Sequence, residues 1–285
     1  MTARITAMRP AGSERWERAV ELGAQGRVAA ARTLLDDVVA DRRTSTAIVS
    51  LAHSTRASLT RQAGGHALAR AADGRACASA AAADREPAAA EEAMRPWVVA
   101  AWVDGLVGLA ADGLGIGDLA GSRILLDRAG DRLDERFPGG PAAGPVPGGE
   151  PWCTVGRVRL RVAWVRSEWG LYSGRLDVAR SAAARAQALA AASPSARHRI
   201  KTRLIAAAVS AAEGDTPGAR HDASEVWREA GERGLLPLQW AAASLLAGVT
   251  PGGGDHLAEV ARLRAVLARR GMPIAPLAVG ERHGR

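Results

Sequence analysis

Cysteine, lysine, tyrosine and phenylalanine are nearly absent from this chain. Its 285 residues include two Cys, one Tyr, one Phe and a single lysine, Lys201. Cys77 and Cys153 are too few and too far apart for a disulfide framework or a cysteine metal cluster. The six histidines, at 53, 66, 198, 221, 256 and 283, include no His-Glu-x-x-His or paired spacing. No metal site and no cofactor are therefore expected. Gly-x-Ser-x-Gly and a Walker-type loop with its lysine are also missing. Residues 1–15 lack the apolar core of a secretory signal. The longest apolar stretches, 97–111 and 235–249, are interrupted by Asp104 and Gln239. Both fall short of the roughly 20 residues that a membrane span takes. A cytoplasmic chain without a membrane span is the expectation.

Alanine fills much of the apolar 47%, and eight Trp replace the missing aromatics. Alanine loses no side-chain entropy in a helix, and it lets helix backbones approach closely. The formal net charge is +8, carried almost wholly by arginine. Such an excess attracts acidic proteins, nucleic acid or an anionic membrane surface without choosing among them.

One pattern recurs five times: a small residue, six positions, Gly, four positions, then Ala or Ser followed by Arg. The copies are Ala19/Gly26/Ala31-Arg32, Ala57/Gly64/Ala69-Arg70, Ala110/Gly117/Ser122-Arg123, Ser167/Gly174/Ala179-Arg180 and Ala207/Gly214/Ala219-Arg220. Glycine ends a helix because it takes the left-handed conformation without a Cβ clash. A second helix then packs back antiparallel, and the two small residues face each other at the closest approach. Stripes such as Val28, Ala31, Leu34, Leu35, Val38 and Ala219, Ala223, Val226, Trp227, Ala230 keep the helical period. A sixth pair without the Gly-Arg signature is expected over 236–248 and 255–270, with Asp255 as N-cap.

The spacing of small residue, turn glycine and small residue resembles the tetratricopeptide repeat. The turn glycines lie 38, 53, 57 and 40 residues apart, against a family period of roughly 34, so the repeats are degenerate. The resemblance implies an all-α fold, a right-handed superhelix of about six antiparallel helix pairs. One domain is expected over 13–272, between an extended or disordered segment 1–12 and a tail 273–285. The Gly/Pro-rich stretch 138–151 cannot be helix. It reads as a surface loop over a continuous array, or as a divider between two half-arrays.

In that family the first helix of each pair lines the concave surface. Counting back from Gly174 puts Arg161, Trp164, Glu168 and Tyr172 at lining positions, with Arg157 a turn earlier. The same count gives Trp16 in the first unit and Lys201 and Leu204 in the fifth. The resemblance thus implies a non-enzymatic module whose groove binds a peptide or protein, acidic by charge complementarity. Two readings stand for Trp16 and Trp164: recognition residues, or fillers between alanine-rich helices. The run Arg197-His-Arg-Ile-Lys-Thr-Arg203 adds positive charge that could meet phosphate, and nucleic-acid association is the alternative function. A third reading rests on Arg61 and His66, whose Arg-x4-His spacing resembles the helical HEPN ribonucleases. Gly64 and Gly65 fall inside that spacing and read as the turn of the second pair, and no catalytic residue is expected. Cys153 reads as a small packed hydrophobe, with a reactive thiol at a helix N-terminus as the alternative.

Overall fold

The computed structural model describes residues 9–87, 91–138 and 152–274. Among the described residues every regular element is helical, in the order α1 (Ser13–Ala24), α2 (Val28–Ala40), α3 (Thr46–Gln62), α4 (His66–Ala83), α5 (Arg95–Gly115) and α6 (Leu119–Arg136), then α7 (Val155–Tyr172), α8 (Leu176–Ala191), α9 (Ala196–Ala212), α10 (Thr216–Glu232), α11 (Leu236–Val249) and α12 (Gly254–Arg269).

The five turn glycines explain the pairing. Gly26, Gly64, Gly117, Gly174 and Gly214 all have positive φ, between 72 and 90°. The residue after each donates its N–H to the carbonyl five positions back, as Arg27 does to Leu22 at 2.9 Å and Arg175 to Gly170 at 2.8 Å. Each first helix therefore stops with its carbonyls satisfied, and the chain reverses. All ten small residues of the repeated pattern are wholly buried. In two pairs the serine bridges the turn: Ser122 Oγ donates to the Ala110 carbonyl at 2.8 Å, and Ser167 Oγ to that of Ala179 at 3.0 Å. A larger side chain there would drive the two helices apart.

Odd-numbered helices touch one another successively from α1 to α11, and the even-numbered helices pack mainly on them. The first helix of each pair thus lies against the first helix of the next. α5 is central, packing on α3, α4, α6 and α7. By length and composition it could cross a membrane, yet most of its surface is buried among other helices, which accounts for its apolar residues all round. The helices flanking the Gly/Pro stretch pack together, α5 and α6 both on α7. Residues 139–151 of that stretch lie outside the described residues.

The array's two ends meet. Gly26, at the C-terminal end of α1, lies against Leu236 and Pro237 at the start of α11 and against Leu267 of α12. The Ala29 N–H donates to the Arg270 carbonyl at 2.9 Å. Opposite helix ends are therefore in contact, α1's end with α11's start and α12's end with α2's start.

Details depart from the sequence reading at the edges. α12 begins one residue early, capped by Gly253 with φ 71°, so Asp255 sits inside the first turn instead of capping it. Its carboxylate still faces the positive end of the helix. Met272 and Ile274 are buried in the same apolar cluster as Trp16 and Trp97, so packing continues two residues past 272. Arg9 pairs with Glu17 at 2.5 Å and Pro10 is buried, which ties down 9–12. Residues 1–8 and 275–285, the rest of the two expected terminal segments, lie outside the described residues.

Candidate functional site

Side chains from α3, α5, α7 and α9 gather charge in the interior. Asp104 of α5 is buried at the centre of the apolar helix and is met from α7 by two arginines. Arg157 Nη2 donates to Asp104 Oδ2 at 2.6 Å, and Arg161 Nη1 donates to Oδ1. Arg157 also gives its Nε–H to the Cys153 carbonyl at 2.6 Å. Burial pushes the Asp104 pKa up, but the two guanidiniums outweigh it and hold the carboxylate below its ordinary range. A charge at the middle of an apolar helix is tolerable here because both oxygens are met by cations.

A second buried cluster lies beside it. Arg61 of α3 donates Nε–H to Asp112 Oδ1 at 2.7 Å, Nη2–H to Asp73 Oδ2, and a further bond to the Gly108 carbonyl at 3.1 Å. One guanidinium thus serves two fully buried carboxylates. The remaining oxygens, Asp73 Oδ1 and Asp112 Oδ2, find no donor among the described residues. Burial pushes the Asp73 pKa up and the Asp112 charge adds to that, against the pull of Arg61. The pair is therefore short of one positive charge and is best satisfied by holding a proton.

Across α9 the balance reverses. Arg197, the second residue of the helix, has no hydrogen bond or ion pair among the described residues. Lys201, one turn on, stands with Nζ 4.6 Å from the centre of the Trp164 ring. Arg197 is driven down to about 10 by burial, with Arg157 and Arg161 adding to it. Lys201 is lowered by burial, opposed by Glu168, and further lowered by Arg161, Arg197 and Arg61. The cations of α3, α7 and α9 therefore act on one another electrostatically. Behind them His198 is sandwiched, stacked on Trp164 at 5.4 Å and edge-on to Trp152 at 4.6 Å. Burial first, then Arg197, lowers the His198 pKa, so its ring stays neutral. Its Nδ1 lies 2.8 Å from Ser195 Oγ.

The residues selected by repeat register occupy different depths. Trp16 is buried, donates its indole N–H to Thr55 Oγ1 at 2.9 Å, and packs edge-on to Trp97 under the Arg157 guanidinium. Trp164 is buried and donates to Thr202 Oγ1 at 2.9 Å. Both indoles fill space between helices, as packing residues do. Glu168 and Lys201 are half-buried, and Tyr172 is 64% exposed at the end of α7. Arg157, Arg161, Trp164 and Lys201 are brought together, with Glu168 close enough to act on Lys201; Trp16 joins through Arg157.

Sequence reasoning missed Asp73, Asp112 and the structural role of Arg61. The available signal was an acidic residue at a helix position that period alone assigns to the core. Arg61 and His66 are separated by the left-handed turn at Gly64, and the Arg61 guanidinium is occupied by its two carboxylates. The Cys153 thiol is pushed up to about 11, chiefly by burial, with Glu17 Oε1 3.7 Å away. Among the described residues no cluster of metal-ligating side chains occurs.

No family model, no curated protein and no solved structure matches the chain.

Proposed function

We propose that the chain is a non-enzymatic binding module whose concave inner surface takes an acidic segment of a protein partner. The observation that carries this reading is the uneven charge of the interior. Asp104 answers Arg157 and Arg161 together, whereas Arg197 has no partner among the described residues and Lys201 rests on an indole. Half-buried cations without a counter-charge are unfavourable until an anion joins them. An incoming carboxylate would find forked donors from Arg197 and a point charge from Lys201.

The architecture proposed is a tetratricopeptide-like superhelix tightened so that six pairs make about one turn. Its support is the five left-handed glycines, the ten buried small residues and the meeting of unlike helix ends. Level pairs in a flat ring would bring like ends together. Contact between unlike ends needs a climb of roughly one helix length per turn.

The test is capture from native lysate, split into nuclease-treated and untreated halves, with wild type and an Arg197→Glu, Lys201→Glu double variant. A discrete acidic protein that survives nuclease and is lost with the double variant is expected. Recovery only without nuclease, fading as salt rises, would replace this reading with nucleic-acid binding through the net charge of +8.

A further inference from the structure

Little apolar surface holds α4 in the array. Its buried side chains are Ala69, Ala72, Ala76, Ala80, Ala83 and Asp73, with no large apolar group among them. On the α5 side it meets glycines: Cys77 Sγ rests against Gly105, Asp73 against Gly108 and the His66 ring against Gly115. A Cβ at position 105 would sit 2.7 Å from the sulfur. Such contacts bring two helices close but remove little apolar area from water, which places α4 at the low end of local stability.

The rest of the junction of α3, α4 and α5 is polar. Arg61 gives Nε–H to Asp112 and Nη2–H to Asp73, and both carboxylates are wholly buried. The other groups near Asp73 are engaged or neutral. Ser54 of α3 donates to the Asp104 carbonyl at 3.2 Å, and Arg161 of α7 is bonded to the Asp104 carboxylate. His66 Nδ1, at the start of α4, finds no partner among the described residues. Cys77, one turn along α4, is a neutral thiol at pH 7, pushed up to about 11 by burial. One guanidinium therefore serves two carboxylates. With a proton held between them the cluster is neutral; without it, a net negative charge is left where neither carboxylate has exposed surface. Arg61 then draws Asp73 toward α3, while the two carboxylates repel each other across the boundary of α4 and α5.

We propose that Arg61, Asp73 and Asp112 form an alkali-sensitive latch: while the carboxylates share a proton α4 lies closed on α5, and loss of that proton lets α4 part from α5 as a local unit, baring Cys77. The latch is independent of what the array binds.

The two cysteines of the full chain make the test internal. Burial pushes both thiols up to about 11, so between about pH 7 and about pH 9.5 the thiolate fraction of each rises by the same factor. Burial and the Asp112 charge raise Asp73 to about 8, inside that range. The rate at which a disulfide-exchange reagent labels Cys77, relative to Cys153, should therefore climb about fivefold or more from the lower pH to the higher. In Asp73→Asn and in Asp112→Asn one carboxylate faces one guanidinium, and the ratio should stay flat. Circular dichroism checks that each variant is folded. Hydrogen exchange of wild type needs no variant: amides of α4 should lose protection relative to those of α8 over the same range.

A flat labelling ratio in wild type would overturn the latch. So would a rise that persists in either folded variant, because another group would then be titrating. Equal loss of protection in α4 and α8 would mean that the molecule opens as a whole, and the local unit would be wrong.

Discussion

Gly108 lies directly beneath the Asp73 carboxylate: a Cβ at position 108 would sit 2.3 Å from both carboxylate oxygens. The missing side chain is what lets Asp73, on α4, reach across α5 to the Arg61 guanidinium, and the Gly108 carbonyl accepts a bond from the same arginine. Gly108→Ala should therefore displace Asp73 and cost about 1–3 kcal/mol, as overpacking in a filled core does. Urea denaturation measures it. Gly74, at an exposed position on α4 with nothing near its absent Cβ, is the control. Gly74→Ala should stabilise by about 0.5–1 kcal/mol through helix propensity.

Asp104→Asn should be among the most damaging single changes. It leaves Arg157 and Arg161 without their shared counter-charge, and breaking a buried pair costs about 3–5 kcal/mol. The folded carboxylate is held below its ordinary range. Its contribution is thus present above the unfolded pKa of about 3.9 and lost as pH falls through the lower folded value. The gap between wild type and variant in denaturation midpoint should accordingly close only in strong acid.

Asp73 should act with the opposite sign. Its folded pKa is raised by burial, with the Asp112 charge adding, to about 8. A raised pKa means that the folded state holds the proton more tightly, so the stability it confers is complete below the ordinary carboxyl range. It is then lost as pH rises toward about 8. Asp73→Asn should match wild type at about pH 3, below the ordinary carboxyl range, and exceed it at about pH 9, because the amide has no charge to acquire. A variant that falls below wild type at both values would show that the carboxylate is fully charged in the folded state.

The turn glycines should be intolerant for a purely conformational reason. Gly174 and Gly214 have φ of 72 and 90°, and no atom lies near the Cβ that either lacks. Gly214→Ala should cost about 1–2 kcal/mol from the left-handed backbone alone. Gly214→Asn should recover part of it, since asparagine tolerates that region better. Thermal melts of the two variants side by side would show the order.

Neither thiol should react quickly at neutral pH. Burial pushes both Cys77 and Cys153 up to about 11. A disulfide-exchange reagent should label them slowly at pH 7 and rapidly after unfolding. Fast labelling of Cys153 in the folded protein would mean that the helix N-terminus, and not burial, governs it.

What the sequence by itself determined are the features made within one helix pair. A glycine flanked by small residues at seven positions before and five after is enough to specify where helices end and which faces meet. Left-handed backbone and helical period are local properties that no distant contact needs to enforce. That is why the ten small residues, the five turns and most of the stripe on α2 were legible: Val28, Ala31, Leu35 and Val38 are buried, and Leu34 of the same stripe only partly so.

The charged interior was legible only in part. The register count reached Arg157, Arg161 and Lys201, since repeat position says which helix face turns inward. It could not pair them, because Arg157 and Arg161 reach an acid 53 and 57 residues away, and Arg61 one that is 51 away. Only tertiary packing decided that Trp164 would be buried and Tyr172 exposed on the same helix, and that Arg197 would have no carboxylate among the described residues. Coulombic pairing depends on distance in space, and on several helices brought together at once. No period along the chain encodes that.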